Sequence, residues 1–192
     1  MFTGIVEAIG TVVEVIPTGA NLTFWIDAPI SPDLKPDQSL AHDGACLTVE
    51  DVQGSRHRVT AVRETLDKTI LGTWQPGHRV NLERSMMLGG RIDGHLVQGH
   101  VDTTGTCSQL IAADGSWEMT CIFPTQFSHL VIEKGSICIN GVSLTAFSVE
   151  EDRLTVAIIP YTWTHTTLSS LRTGRPVNLE FDLLGKYVAR LR

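Results

Sequence analysis

The sequence predicts an all-β protein of two tandem six-stranded antiparallel β-barrels, followed by a short C-terminal helix. Three observations carry that reading: a long internal repeat, a strand-and-turn pattern within each copy, and a tail of different periodicity. Of 192 residues, 42% are hydrophobic and 19% charged, ample for packed cores.

The repeat comes first because it sets the domain plan. Val80-Asn81-Leu82-Glu83 recurs as Val177-Asn178-Leu179-Glu180, 97 residues on. Gly44-Ala45-Cys46-Leu47-Thr48 returns as Gly141-Val142-Ser143-Leu144-Thr145 at the same offset, and Thr65 as Thr162. Nearer the start, Gly4 pairs with Gly99 and Gly10-Thr11 with Gly105-Thr106 at an offset of 95. A period this long exceeds a solenoid unit, so each copy is a domain. The expected plan is a first barrel over 1–87, a linker over 88–95, a second barrel over 96–182 and a helix over 183–192. The stretch from Met86 to Gly94 holds three glycines in nine residues, which suits a bend.

Within a copy the local signals are β. Gly10–Ile16 and Asn21–Ile26 are rich in β-branched and aromatic residues, with Pro17-Thr18-Gly19 as turn chemistry between them. Cys46–Glu50 and Arg56–Val62 flank a turn at Gln53-Gly54-Ser55, and the second copy repeats the plan. About six short strands in roughly 90 residues suit a small closed barrel without free edges. Pro29–Leu34 and Phe123–Leu130 read as helical or loop segments. The tail spaces Leu184, Tyr187, Val188 and Leu191 as a helical apolar stripe. A helix so short must pack on something.

Composition excludes several function classes. A net charge of −6 offers no basic face for nucleic acid. Nothing approaches the ~20 apolar residues of a membrane span, and Met1–Glu7 lacks the pattern of a signal peptide. Cys46, Cys107, Cys121 and Cys138 show no close pairing, which points to reduced thiols and a cytoplasmic setting. No metal-ligand spacing, nucleophile elbow or phosphate loop is present, so no metal is expected.

Candidate chemistry concentrates in a few places. Gly94–Val101 sets two glycines beside His95 and His100, which fits either backbone approaching a ligand or a tight interdomain turn. Cys46 reads as a small core residue or a reactive one. Its counterpart Ser143, with Thr145, reads as sheet or site. Glu64-Thr65 and Tyr161-Thr162 end strands and close turns, or line a pocket.

Taken together, these segments resemble the riboflavin synthase family: Met1–Val6, Asp43–Val49, Gly89-Gly90, Gly94–Asp102, Gly141–Thr145, Val177–Glu180 and Asp182–Val188, in one order over the whole chain. The resemblance implies transfer of a four-carbon unit between two molecules of 6,7-dimethyl-8-ribityllumazine. The products are riboflavin and 5-amino-6-ribitylaminouracil, with no cofactor. It implies a homotrimer held partly by the C-terminal helix, and association with lumazine synthase. Each active site then lies between the first barrel of one subunit and the second barrel of the next.

Carried over by position, the first pocket takes Gly4, Ile5, Val6, Cys46, Leu47, Thr48 and Thr60-Ala61-Val62-Arg63-Glu64-Thr65. The second takes Gly99, His100, Val101, Lys134, Ser143, Leu144, Thr145 and Ala157-Ile158-Ile159-Pro160-Tyr161-Thr162. Ser39, Cys46, His100, Ser143, Thr145 and Asp182 match positions given chemical roles. In that reading His100 shuttles protons with Ser143 and Thr145 as hydroxyl partners, and Cys46 positions water or adds to a lumazine. A lumazine- or flavin-binding antenna protein on the same barrels is the nearest rival. A flavin reductase module would need a nucleotide-binding α/β domain, for which the sequence has no stretch.

Overall fold

A computed structural model describes residues 1–191, and Arg192, the last residue of the expected tail, lies outside the described residues. Twelve strands form two closed barrels. The first contains β1 (Ala8–Thr18), β2 (Asn21–Asp27), β3 (Ser39–His42), β4 (Ala45–Gln53), β5 (Arg56–Ala61) and β6 (Arg79–Arg84). Around it they run β1-β2-β5-β4-β3-β6. The second contains β7 (Thr103–Ala113), β8 (Ser116–Ile122), β9 (Ser136–Ile139), β10 (Val142–Phe147), β11 (Arg153–Ile158) and β12 (Pro176–Phe181). Its order, β10-β11-β8-β7-β12-β9, is the same ring with its members shifted by one copy.

Every ladder is antiparallel. Register shifts at Val12/Glu14 in β1 and at Cys107/Gln109 in β7 fall at equivalent places, and such bulges bend a strand enough to close a small barrel. Phe24, Ile26, Leu47, Val59 and Leu82 fill the first interior, and Met119, Ile137, Leu154, Val156 and Leu179 the second. The expected segments at Pro29–Leu34 and Phe123–Leu130 contain 3-10 turns, Ser31–Asp33 and Thr125–Leu130.

Two short helices replace what the sequence reads as strand ends. Helix α1 (Arg63–Lys68) follows β5, and α2 (Pro160–His165) follows β11. Arg63–Asp67 and Glu64–Lys68 ion pairs span one turn of α1, and Pro160 opens α2, where its fixed φ suits a helix start. Neither helix buries a residue, so neither has the apolar periodicity that announces a helix. Helix α3 (Leu183–Arg190) is capped by Asp182, whose Oδ1 accepts from Leu184 N at 2.9 Å. Its stripe of Leu184, Tyr187, Val188 and Leu191 stays exposed. Among the described residues no helix is long and apolar enough to cross a membrane.

The repeated motifs join the barrels about a local twofold. Asn81 Nδ2 donates to Asn140 O (2.9 Å) while its Oδ1 accepts from Thr167 N (2.8 Å). Asn178 Nδ2 donates to Asp43 O (2.8 Å) while its Oδ1 accepts from Ile70 N (2.8 Å). Gly44 and Gly141, both at positive φ, pack backbone to backbone across the axis. A Cβ on Gly44 would stand 2.9 Å from Gly141 N, and one on Gly141 would stand 2.8 Å from Gly44 N.

Candidate functional site

The last residue of the repeated Val-Asn-Leu-Glu motif fixes the segment that leads into each copy. Glu83 accepts from Thr3 N (2.6 Å), Thr3 Oγ1 (2.8 Å) and Gly4 N (2.9 Å). Glu180 accepts from Gln98 N (2.6 Å) and Gly99 N (2.9 Å). Burial pushes both carboxyls above the ordinary carboxylate range, and the N–H donors pull the other way.

From these anchors each segment crosses to the other barrel. Phe2 and Val97 exchange backbone hydrogen bonds at the crossing, 2.7 and 3.0 Å. Gly4 O accepts from Ser143 N on β10, and Gly99 O accepts from Cys46 N on β4, both at 2.8 Å. Val6 then packs on the second core and Val101 on the first. The sequence reading grouped Gly4–Val6 with the first pocket and Gly99–Val101 with the second, and the geometry exchanges them. Glycine permits the crossing: a Cβ would lie 2.7 Å from Ser143 Cβ at Gly4 and 2.6 Å from Cys46 Cβ at Gly99, and both residues have positive φ.

Two sets of residues result. Cys46, Leu47 and Thr48 on β4, Thr60 and Ala61 on β5, and Val62 with Arg63 to Thr65 at the start of α1 stand with Gly99, His100 and Val101. Ser143, Leu144 and Thr145 on β10, Ala157 and Ile158 on β11, Ile159 with Pro160 to Thr162 at the start of α2, and Lys134 in the turn before β9 stand with Gly4, Ile5 and Val6. Leu47, Ala61, Leu144 and Ile158 face the cores. Thr48, Glu64, His100, Thr145 and Tyr161 are exposed, and Cys46 and Ser143 half-buried. Ser39 on β3 pairs with Thr48 across the ladder and helps line a cleft of about 520 Å³ with Ile5, Arg84 and Met87. Lys134 occupies a left-handed turn (φ 63°), with its Nζ 5.4 Å from the centre of the Phe147 ring.

The imidazole that meets Ser143 is His95, not His100. His95 Nδ1 lies 2.7 Å from Ser143 Oγ. Burial lowers the His95 pKa, and the Asp182 carboxylate opposes that shift. A neutral imidazole there can take the Ser143 hydroxyl proton, with Asp182 set to favour the charged ring that results. Local spacing gave no sign of this contact, since the partners lie 48 residues apart and on different elements. The second set also holds a stacked pair, Trp117 and Trp163, with ring centres 4.3 Å apart. It braces α2 against β8, and the sequence reading passed over it.

Comparison with known proteins bears on this arrangement. A family model described as the lumazine binding domain matches twice, over residues 3–85 and 98–182. A riboflavin synthase of Mycobacterium tuberculosis is 43% identical over 201 residues, covering 100% of this chain and 98% of that protein. The chain belongs to the riboflavin synthase family. Riboflavin synthases of Actinobacillus pleuropneumoniae and Bacillus subtilis are each 36% identical, covering 98% and 99% of this chain and 88% and 89% of theirs. The barrel pair also matches LumP complexed with riboflavin, with a TM-score of 0.88 over 94% of this chain and 99% of that one. At 21% identity that likeness concerns the fold alone. In this member of the riboflavin synthase family each matched stretch spans one barrel, and the segments crossing between copies lie at the start of each match.

Proposed function

We propose that this member of the riboflavin synthase family converts two molecules of 6,7-dimethyl-8-ribityllumazine into riboflavin and 5-amino-6-ribitylaminouracil, without a cofactor. The observation that carries the reading is that two barrels of one plan present unequal chemistry. One set offers the Cys46 thiol and the His100 imidazole, and the other offers Ser143 backed by His95 and Asp182. Two identical substrates that must play different parts need such a pair of half-sites.

In this reading the backbone and hydroxyls of each set hold one lumazine, with Lys134, Thr48 and Thr145 at the rims. Bringing the two rings face to face converts a bimolecular reaction into an effectively intramolecular one. One lumazine loses a proton from its C7 methyl, and the other accepts a nucleophile. His100, exposed on the segment clamped to Cys46, moves the proton, and the Ser143–His95 pair serves the partner ring. His100 and Ser143 stand in different half-sites, and in this reading a second subunit brings them to one reaction. The exposed stripe of α3 supports a homotrimer that supplies it. On family resemblance alone, the trimer associates with lumazine synthase. Four unpaired cysteines fit a cytoplasmic location.

The test mixes purified protein with dimethylribityllumazine alone and follows riboflavin by its fluorescence. Riboflavin and the pyrimidine product are expected in equal amounts. Tight binding without turnover would instead make the chain an antenna-type binder.

A further inference from the structure

We infer that Lys186, on the C-terminal helix, is a positioning residue for the His100 segment, through its ion pair with Asp102. The inference rests on the function proposed above and concerns how its first half-site is held. It begins with a difference between equivalent carboxylates. In the first copy, Glu7 accepts from the backbone N–H of Arg84 at 2.9 Å and pairs with the Arg84 guanidinium at 2.7 Å. Acid and base both come from the barrel. In the second copy, Asp102 takes the same backbone bond, from Phe181 N at 2.9 Å. Phe181 has no charge to give, because its ring is buried against Phe123 and Phe127. The missing cation arrives from outside the barrel, as Lys186 Nζ at 2.7 Å from Asp102 Oδ2.

That pair is better shielded than its counterpart. The Lys186 and Asp102 side chains are 22% and 20% exposed, against 47% and 31% for Arg84 and Glu7. Shielding strengthens the attraction and makes the loss of one partner costly. Asp102 lies two residues beyond His100, and its own N–H donates to Leu179 O at 2.9 Å. Glu180 holds the start of the same segment through Gln98 and Gly99, and Lys186 also attracts Glu180, which Asp102 repels. Lys186 therefore balances two neighbouring acids that clamp Gln98–Asp102. Without it the two acids at the ends of the stretch that carries His100 repel one another unopposed. In the first copy the position equivalent to Lys186 is Gly89, in the linker, so this dependence on a helix is peculiar to the second. Since α3 also bears the exposed apolar stripe, the contact ties helix docking to the His100 segment.

The test compares wild type, Lys186→Met, Lys186→Arg, Asp102→Asn and the double variant Lys186→Met/Asp102→Asn. Lys186→Met is expected to lower kcat about tenfold with little change in KM, as loss of a shielded ion pair would. Lys186→Arg should restore most of that loss. The double variant should be no worse than the poorer single one, the mark of one shared contact. Amide hydrogen exchange at Gln98 and Gly99 should quicken in Lys186→Met, and this reads the clamp whether or not the protein turns over. If wild type makes no riboflavin but exchange quickens, the proposed function falls and the positioning role stands. Unchanged exchange in Lys186→Met, or additive losses in the double variant, would overturn the role.

Discussion

The two barrels are alike where they touch and unlike inside. Across the local twofold, Asn81 and Asn178 make the same pair of bonds to opposite copies, and Gly44 meets Gly141 with no room for a side chain. Inside the first barrel, by contrast, a polar chain is fully buried. His42 Nδ1 lies 3.0 Å from Leu40 O, His42 Nε2 lies 3.0 Å from His57 Nε2, and His57 Nδ1 lies 2.8 Å from Ser31 Oγ. A carbonyl only accepts, so His42 Nδ1 carries its hydrogen and the order of the chain follows. His57 donates to His42, and Ser31 donates to His57, with both rings neutral. The second barrel has Ile139 and Leu154 at the equivalent positions, both fully buried. Duplication thus preserved what both copies need in order to join, and released interiors and pockets to diverge.

The largest effect should come from breaking the likeness. Gly44→Ala would drive a Cβ into the Gly141 backbone at a φ of +82°, and about 4 kcal/mol of stability should be lost in urea unfolding. A loss below about 1 kcal/mol would mean the barrels do not depend on that close approach.

Acid should separate the barrels next. Burial holds His42 well below the usual histidine range and His57 at about 4, against an ordinary 6.5. The folded state therefore binds fewer protons than the unfolded chain between those values. The stability that neutral rings provide is whole above about pH 6.5 and falls as pH drops towards about 4, by roughly 3 kcal/mol for His57. Substituting the second barrel's residues, His42→Ile with His57→Leu, should flatten that part of the pH–stability curve. A curve of unchanged slope would contradict the assignment.

At the site, Ser143→Ala should lower kcat about a hundredfold, the scale of a lost proton-transfer partner. Binding at the Cys46 half-site should hold, as read by fluorescence titration with riboflavin. Equal loss of binding at both half-sites would mean that Ser143 only supports the fold.

Much of this was legible in the residues, for uneven reasons. The repeat announced itself because Val-Asn-Leu-Glu has bonds to make in both copies: Asn81 and Asn178 join the barrels, Glu83 and Glu180 anchor the leading segments. The barrels followed from short alternating strands and turn residues. The exchange of Gly4–Val6 and Gly99–Val101 was hidden, because an internal repeat shows which residues are equivalent, not which ones touch. His95 was visible as one of two nearby histidines, yet its contact with Ser143 depends on the same crossing. Helices α1 and α2 escaped because six residues with none fully buried leave no apolar rhythm.

The central claim is that unequal half-sites of different subunits make one active site, and subunit complementation tests it most directly. His100→Ala and Ser143→Ala each remove one half-site. Co-expressed with different tags and purified as mixed oligomers, they should recover riboflavin formation far above either parent, because some sites then pair an intact His100 set with an intact Ser143 set. Mixed oligomers no more active than the parents would contradict the account and place both half-sites of each reaction within one chain.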